Sequence, residues 1–178
     1  MRQNGILISI AFILAGVIVH GQSMTNNFKN ENGTLIWQKI YERDSSINII
    51  DKFVSSGILE NIIIKDDQIM GDLKPFDTDF KGVGFTEMGT PIYVARSRIK
   101  GYITIEIKEN KYRATIKDIF LIQKYDDGLS KQGEETSLST FALKGNTDFK
   151  PAFLKTPSIV FNYTFEKRIS INKPEDKW

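Results

Sequence analysis

The residues able to do nucleophilic or acid–base chemistry in this chain are few. Its 178 residues include one histidine, His20, and no cysteine. Without thiols there is no cysteine nucleophile, no disulfide framework and no thiolate-bound zinc. His20 ends an apolar N-terminal run, and cleavage of that run removes the imidazole that a Ser-His-Asp triad requires. Carboxylates are then the remaining candidate catalysts: Asp66-Asp67, Asp77-x-Asp79, Asp126-Asp127 and Glu134-Glu135. A glycosidase needs two carboxyl groups facing each other across about 5–9 Å, one of them with a raised pKa. Linear spacing does not place such a pair, and acidic doublets in polar stretches commonly serve as turns. Asp126-Asp-Gly-Leu-Ser130 offers oxygens and a turn glycine, but it lacks the alternating ligands and distal glutamate of a calcium loop. No metal site and no cofactor are expected from this inventory, and no catalytic residue is assigned.

A second constellation is basic. Arg96, Arg98 and Lys100 alternate, so an extended chain presents them on one side. Lys108, Lys111 and Arg113 follow around a hairpin tip. Together they form a candidate interaction patch for a carboxylate, a phosphate or an acidic glycan. Glu106 lowers its charge, and Lys or Arg on an edge strand also blocks sheet-to-sheet association. Trp178, behind a charged tail, joins the candidate set, either docked on the sheet or presented to a partner.

The elements that position these groups begin after an export signal. Arg2 gives a positive start, and residues 6–19 (ILISIAFILAGVIV) form a 14-residue run with Ser9 as its polar interruption. A bilayer span needs about 20 apolar residues, so this length suits a signal h-region. Val19 and Gly21 fit the small residues before a cleavage point, which assigns residues 1–21 to a signal peptide. Their loss removes one charge, Arg2, leaving 23 Lys+Arg against 22 Asp+Glu, a net of +1. That balance gives no field for nucleic acid or an anionic membrane. Residues 22–33 are polar and Asn-rich and read as a mobile leader.

Residues 34–178 then read as one α+β domain, large enough to stand without disulfides. Residues 34–42 (TLIWQKIYE) alternate as a strand. Ile47, Ile50, Phe53 and Val54 make a helix face, with Asp44 or Ser45 as cap and Gly57 past its end. Residues 59–65 and 68–73 read as strands joined at Asp66-Asp67. Residues 74–91 form a long connection holding Phe76, Phe80 and Phe85, with a strand around 76–83 as the alternative for its first part. The clearest element is a hairpin of 102–108 and 111–122 with Glu109-Asn110 at its tip. One wet face and one packed face suit an antiparallel sheet with helices on one side. Trp37, Phe53, Phe76, Phe80, Phe85, Phe120, Phe161 and Phe165 read as core, each worth about 1.5–3 kcal/mol of burial before entropy. Periodicity leaves the C-terminal apolar segment open. Ile159, Phe161, Tyr163 and Phe165 alternate as in a strand, whereas Pro157, with Thr156 as cap, and the i, i+4 pairing of Phe161 with Phe165 suit a helix.

Residues 33–41 (GTLIWQKIY), the helix after them, and 101–116 through the turn resemble a group of small exported Gram-negative envelope proteins. That group forms a domain of unknown function with a TATA-binding-protein-like fold. The resemblance implies a curved antiparallel sheet with one helix after the first strand and a C-terminal helix over about 157–168. It implies no activity and no DNA binding, since that fold reads DNA with a basic sheet. The expectation is a non-enzymatic binding or interaction module of the periplasm or cell envelope. Its partner would be an envelope component or small ligand, with no nucleic acid and no membrane span after cleavage. The alternatives are a carboxylate-dependent hydrolase of envelope glycans and a structural component working through its sheet edge.

Overall fold

The computed structural model describes residues 24–171 apart from Ser45, Asp127, Leu129 and Asn146. The expected signal segment and Trp178 lie outside the described residues. The strands are β1 (Met24–Thr25), β2 (Phe28–Glu31), β3 (Thr34–Glu42), β4 (Leu59–Lys65), β5 (Gln68–Asp77), β6 (Ser97–Lys108), β7 (Lys111–Gln123) and β8 (Glu135–Ser137). A separate two-stranded ribbon is made of β9 (Leu143–Lys144) and β10 (Asp148–Phe149). The helices are α1 (Ile49–Ser55), α2 (Ile92–Ala95), α3 (Leu138–Ala142) and α4 (Thr156–Ile169). The main sheet runs β1-β2-β3-β7-β6-β5-β4, antiparallel throughout, with β8 also on β7.

The strands form because apolar residues alternate, and the sheet is irregular where alternation breaks. Trp37, Ile116, Ile103 and Gly71 lie opposite one another across four strands on the packed face. The inward set of β7 is Tyr112, Ala114 and Ile116, then Ile119 and Leu121. This parity change is a bulge. Asp118 takes φ +51°, and the β6–β7 register shifts between Lys100 and Tyr102. Opposite it, a Cβ on Gly101 would lie 3.1 Å from the Lys117 carbonyl, tighter than most real contacts, which favours glycine at this crossing. The bulge also splits β7, whose first half pairs with β3 and whose second half pairs with β8.

Residues 24–31 differ from the mobile leader expected of them. They form β1 and β2 at the sheet edge, and the Phe28 side chain is fully buried. Asn26, Asn27 and Asn32 all adopt positive φ, so the asparagines supply the two tight turns of this ribbon. Consequently α1 follows the third strand rather than the first. Its cap is Asn48, whose Oδ1 accepts from the Asp51 amide at 3.3 Å, in place of the expected Asp44 or Ser45. Strand β5 runs on to Asp77, through the start of the connection expected after residue 73.

The ambiguous C-terminal segment is helical. Pro157 sits in its first turn, where a missing N–H loses no bond, and Lys155 rather than Thr156 occupies the cap position. Phe161 and Phe165 face the sheet. Phe165 meets the rings of Trp37, Phe28 and Phe76 at 5.4, 6.2 and 6.1 Å between centroids. The buried sides of all four helices belong to one continuous core. Phe120 departs from the expected core. It is half-buried on the opposite sheet face, beneath Lys100.

Candidate functional site

Two cross-strand rows define the sheet face turned away from the helices. Ile40, Arg113, Glu106 and Gln68 form one row; Gln38, Thr115, Thr104, Met70 and Ile63 form the next. Ile40 is 60% exposed and Ile63 56% exposed, so this face is uncovered there. At the hairpin end it opens into a cavity of about 330 Å³ lined by Ile40, Glu106, Lys108, Lys111, Tyr112 and Arg113, closed by the tip residues Glu109 and Asn110. That volume lies at the lower end of pockets that take small ligands.

The six described basic candidates do not gather into one patch. Lys108, Lys111 and Arg113 share the hairpin cavity. Arg96 lies at the C-terminal end of α2 and stands 3.8 Å from Glu87. Arg98 is exposed on β6 opposite Asp77 and Ile122. Lys100 is 2.6 Å from Glu135 and rides over the Phe120 ring. Position along β6 separates the two groups, because five residues from Arg98 to Ile103 already span about 17 Å of strand.

Even within the cavity most of the positive charge is matched. Arg113 donates to both oxygens of Glu106, each at 2.7 Å, and Lys111 lies 3.0 Å from Glu42. The bidentate Arg113 bond holds the Glu106 carboxyl below its ordinary value, against the opposing effect of partial burial, and raises Arg113 in turn. Alternation could reveal each of these charges; only the β3–β7–β6 register shows which acid meets which base.

The acidic doublets are scattered. Asp66 holds the β4–β5 turn at φ +49°. Glu134 accepts from the Lys131 amide, and Glu135 pairs with Lys100. Asp126 accepts from the Gln132 amide, while Asp127 is outside the described residues. Asp77 and Asp79 line a shallow cavity of about 240 Å³ with Lys167 and Arg168. Lys167 donates to Asp79 at 2.6 Å, and this bond, helped by the Gly82 amide, holds the Asp79 carboxyl below its ordinary value. Among the described residues no group of three or more potential metal ligands converges.

These shifts have a sign that can be measured. Both Asp79 and Glu106 titrate lower folded than unfolded. Their stabilisation is therefore present above the ordinary carboxylate value of about 4 and is lost as pH falls below it. Both sites are open to solvent, so the effect is small. Thermal melting followed from pH 7 to pH 2 should show a shallower acid limb in a Glu106→Gln, Asp79→Asn double variant; an unchanged limb would remove the claim.

Sequence reading missed a polar cluster under α4. Asn162 Oδ1 accepts from Trp37 Nε1 at 2.9 Å and from Asn27 Nδ2 at 2.8 Å. Its Nδ2 donates to Glu166, which also pairs with Lys39 at 2.6 Å. Beside it Tyr41 stacks on Tyr112 at 4.8 Å, its hydroxyl buried without a partner among the described residues. Burial chiefly, then Tyr112 and Glu166, push that phenol far above its ordinary value. Nothing in the spacing of these residues announces the cluster, because helix and strand are more than a hundred positions apart.

No protein-family profile matches the chain, and no curated protein does. Among solved structures, the chain is similar to a TBP-like protein from Parabacteroides distasonis, at 13% identity and a TM-score of 0.47, over 77% of this chain and 88% of that one. It is also similar to a DUF4468 family protein from Bacteroides ovatus, at 11% identity and a TM-score of 0.46, over 85% of this chain and 94% of that one. Neither similarity carries an activity, a substrate or a partner to this chain.

Proposed function

We propose that this chain is an exported, non-enzymatic binding or interaction module of the periplasm or cell envelope. The observation that carries the reading is the uncovered sheet face and the cavity at its hairpin end, where an apolar floor at Ile40 meets charged walls. Such a combination holds a ligand through apolar contact and orients it by a few polar groups. Export is supported by the apolar run and small residues ahead of position 22. Among the described residues no helix is long and apolar enough to cross a membrane.

The hydrolase alternative gains less support. A glycosidase acid must hold its proton near neutral pH. The described carboxylates whose titration is shifted, Asp44, Asp79 and Glu106, are all shifted downward and stay ionised. A binding role asks for no such proton.

The test is native mass spectrometry of the protein isolated from its own envelope, beside an Ile40→Asp, Lys108→Glu variant. A defined co-purifying species lost from the variant supports the reading. Equal retention by both proteins, or no bound species on either, overturns it.

A further inference from the structure

A second cavity, unconnected with the hairpin site, lies where α2, α3 and the end of β7 meet. It measures about 340 Å³. One wall is aromatic: Tyr93 of α2 stacks on Phe141 of α3, with centroids 4.1 Å apart and planes within 6°. The other walls carry Ser97, Gln123, Glu134 and Thr136. No lysine or arginine lines it among the described residues.

Ser97 is the pointed observation. The residue as a whole is 3% exposed, and its side chain lines the cavity. A hydroxyl that lines an open cavity without a protein partner bonds water there, and can exchange that water for a ligand hydroxyl. Ser97 lies directly opposite Gln123 in the β6–β7 register, so a hydroxyl stands beside an amide whose Nε2 donates to the Tyr125 carbonyl at 3.0 Å. Thr136 adds a second hydroxyl, and Glu134 adds an acceptor.

We infer that this cavity binds a neutral sugar ring, free or at the end of a glycan. A pyranose has an apolar C–H face and a rim of hydroxyls, each both donor and acceptor. The Tyr93–Phe141 pair offers a flat apolar wall for the face. Hydroxyl, amide and carboxylate groups together match a rim that both gives and takes hydrogen bonds. A phosphate or carboxylate ligand fits poorly, since Glu134 would repel it and no lining cation would hold it. A purely apolar ligand would displace water from Ser97 and Thr136 and return no hydrogen bond to either hydroxyl.

The experiment is a titration of the 15N-labelled protein, followed by amide chemical shifts. The probes are glucose, galactose, mannose and N-acetylglucosamine, an oligomer of whichever binds, and indole as a flat ligand without hydroxyls. Saturable shifts at Ser97, Gln123 and Thr136 are expected with at least one sugar. Equal affinity for monomer and oligomer indicates a free sugar, and tighter oligomer binding indicates a glycan end; either supports the site. Tyr93→Ala should weaken binding about tenfold through loss of the ring face, and Ser97→Ala about fivefold through loss of one hydrogen bond. Tyr93→Phe, which keeps the ring, should retain binding. The amide spectrum of each variant reports its folding in the same measurement. The inference is overturned if no sugar shifts these amides up to about 50 mM, well past the millimolar range. It is equally overturned if indole saturates the site as tightly as the best sugar, or if Tyr93→Ala and Ser97→Ala bind as the parent does.

Discussion

Phe165→Ala is expected to lower the free energy of unfolding by about 3–5 kcal/mol, the usual range for removing a fully buried phenylalanine. The ring is buried completely and touches three other aromatic rings, each from a different strand. Phe28 belongs to β2, Trp37 to β3 and Phe76 to β5, so one side chain of α4 ties the helix to strands on both sides of the central β7–β6 pair. Truncation leaves a void that a rigid sheet closes only in part. Urea denaturation should show a lower midpoint at unchanged slope. A loss below about 1 kcal/mol would mean that Phe165 is not the centre of the core.

Asn162→Leu is the second large effect, at about 1–2 kcal/mol. The substitution keeps the branched shape but strips the acceptor from Trp37 Nε1, whereas Asn27 Nδ2 retains Glu166 Oε1 at 3.1 Å. Each buried donor left unsatisfied costs about 1–3 kcal/mol, here reduced because the cluster is part-buried. The claim is separable from packing by a double-mutant cycle. Trp37→Phe removes the indole N–H, so Asn162→Leu should cost less in that background than in the parent. Strictly additive losses would show that the Trp37–Asn162 bond carries no coupling. No substitution in the cycle adds or removes a charge, so Lys39 and Glu166 keep their formal charges in every variant.

The two predictions concern residues that sequence reading treated very differently. Phe165 and Trp37 read as core because each sits in a run whose spacing matches a strand or a helix face. Phe28 did not, although it is as deeply buried, because its neighbours are asparagines, lysine and glutamate. Those asparagines signal low apolar content to a windowed reading. In the fold they take the positive φ values of tight turns and return Phe28 to the core. Phe120 errs in the other direction. It is apolar and next to inward residues, but the Asp118 bulge reverses parity and places it on the open face.

The candidate site shows the same division. Alternation correctly groups Lys108, Lys111 and Arg113 about one hairpin end. It could not show that Glu42 comes from β3 to meet Lys111, or that Arg98 and Lys100 stand further along the sheet. The cavity beneath Tyr93 and Phe141 was invisible, since its two aromatic residues are 48 positions apart and the sequence gives no register between two helices.

The amino-acid sequence determined the local matters: a 14-residue apolar run over 6–19, the alternation of the 102–122 hairpin, and a chemistry without thiols and with a lone imidazole at position 20. These follow from composition and from periods of two or about four residues, which the backbone enforces wherever it folds. Tertiary structure decided the rest: whether residues 156–169 are helix or strand, where the asparagine-rich segment pairs, and which charges neutralise one another. The physical reason is that strand register, bulges and helix docking are settled by contacts between distant segments, and a one-residue change in register exchanges the buried face for the open one.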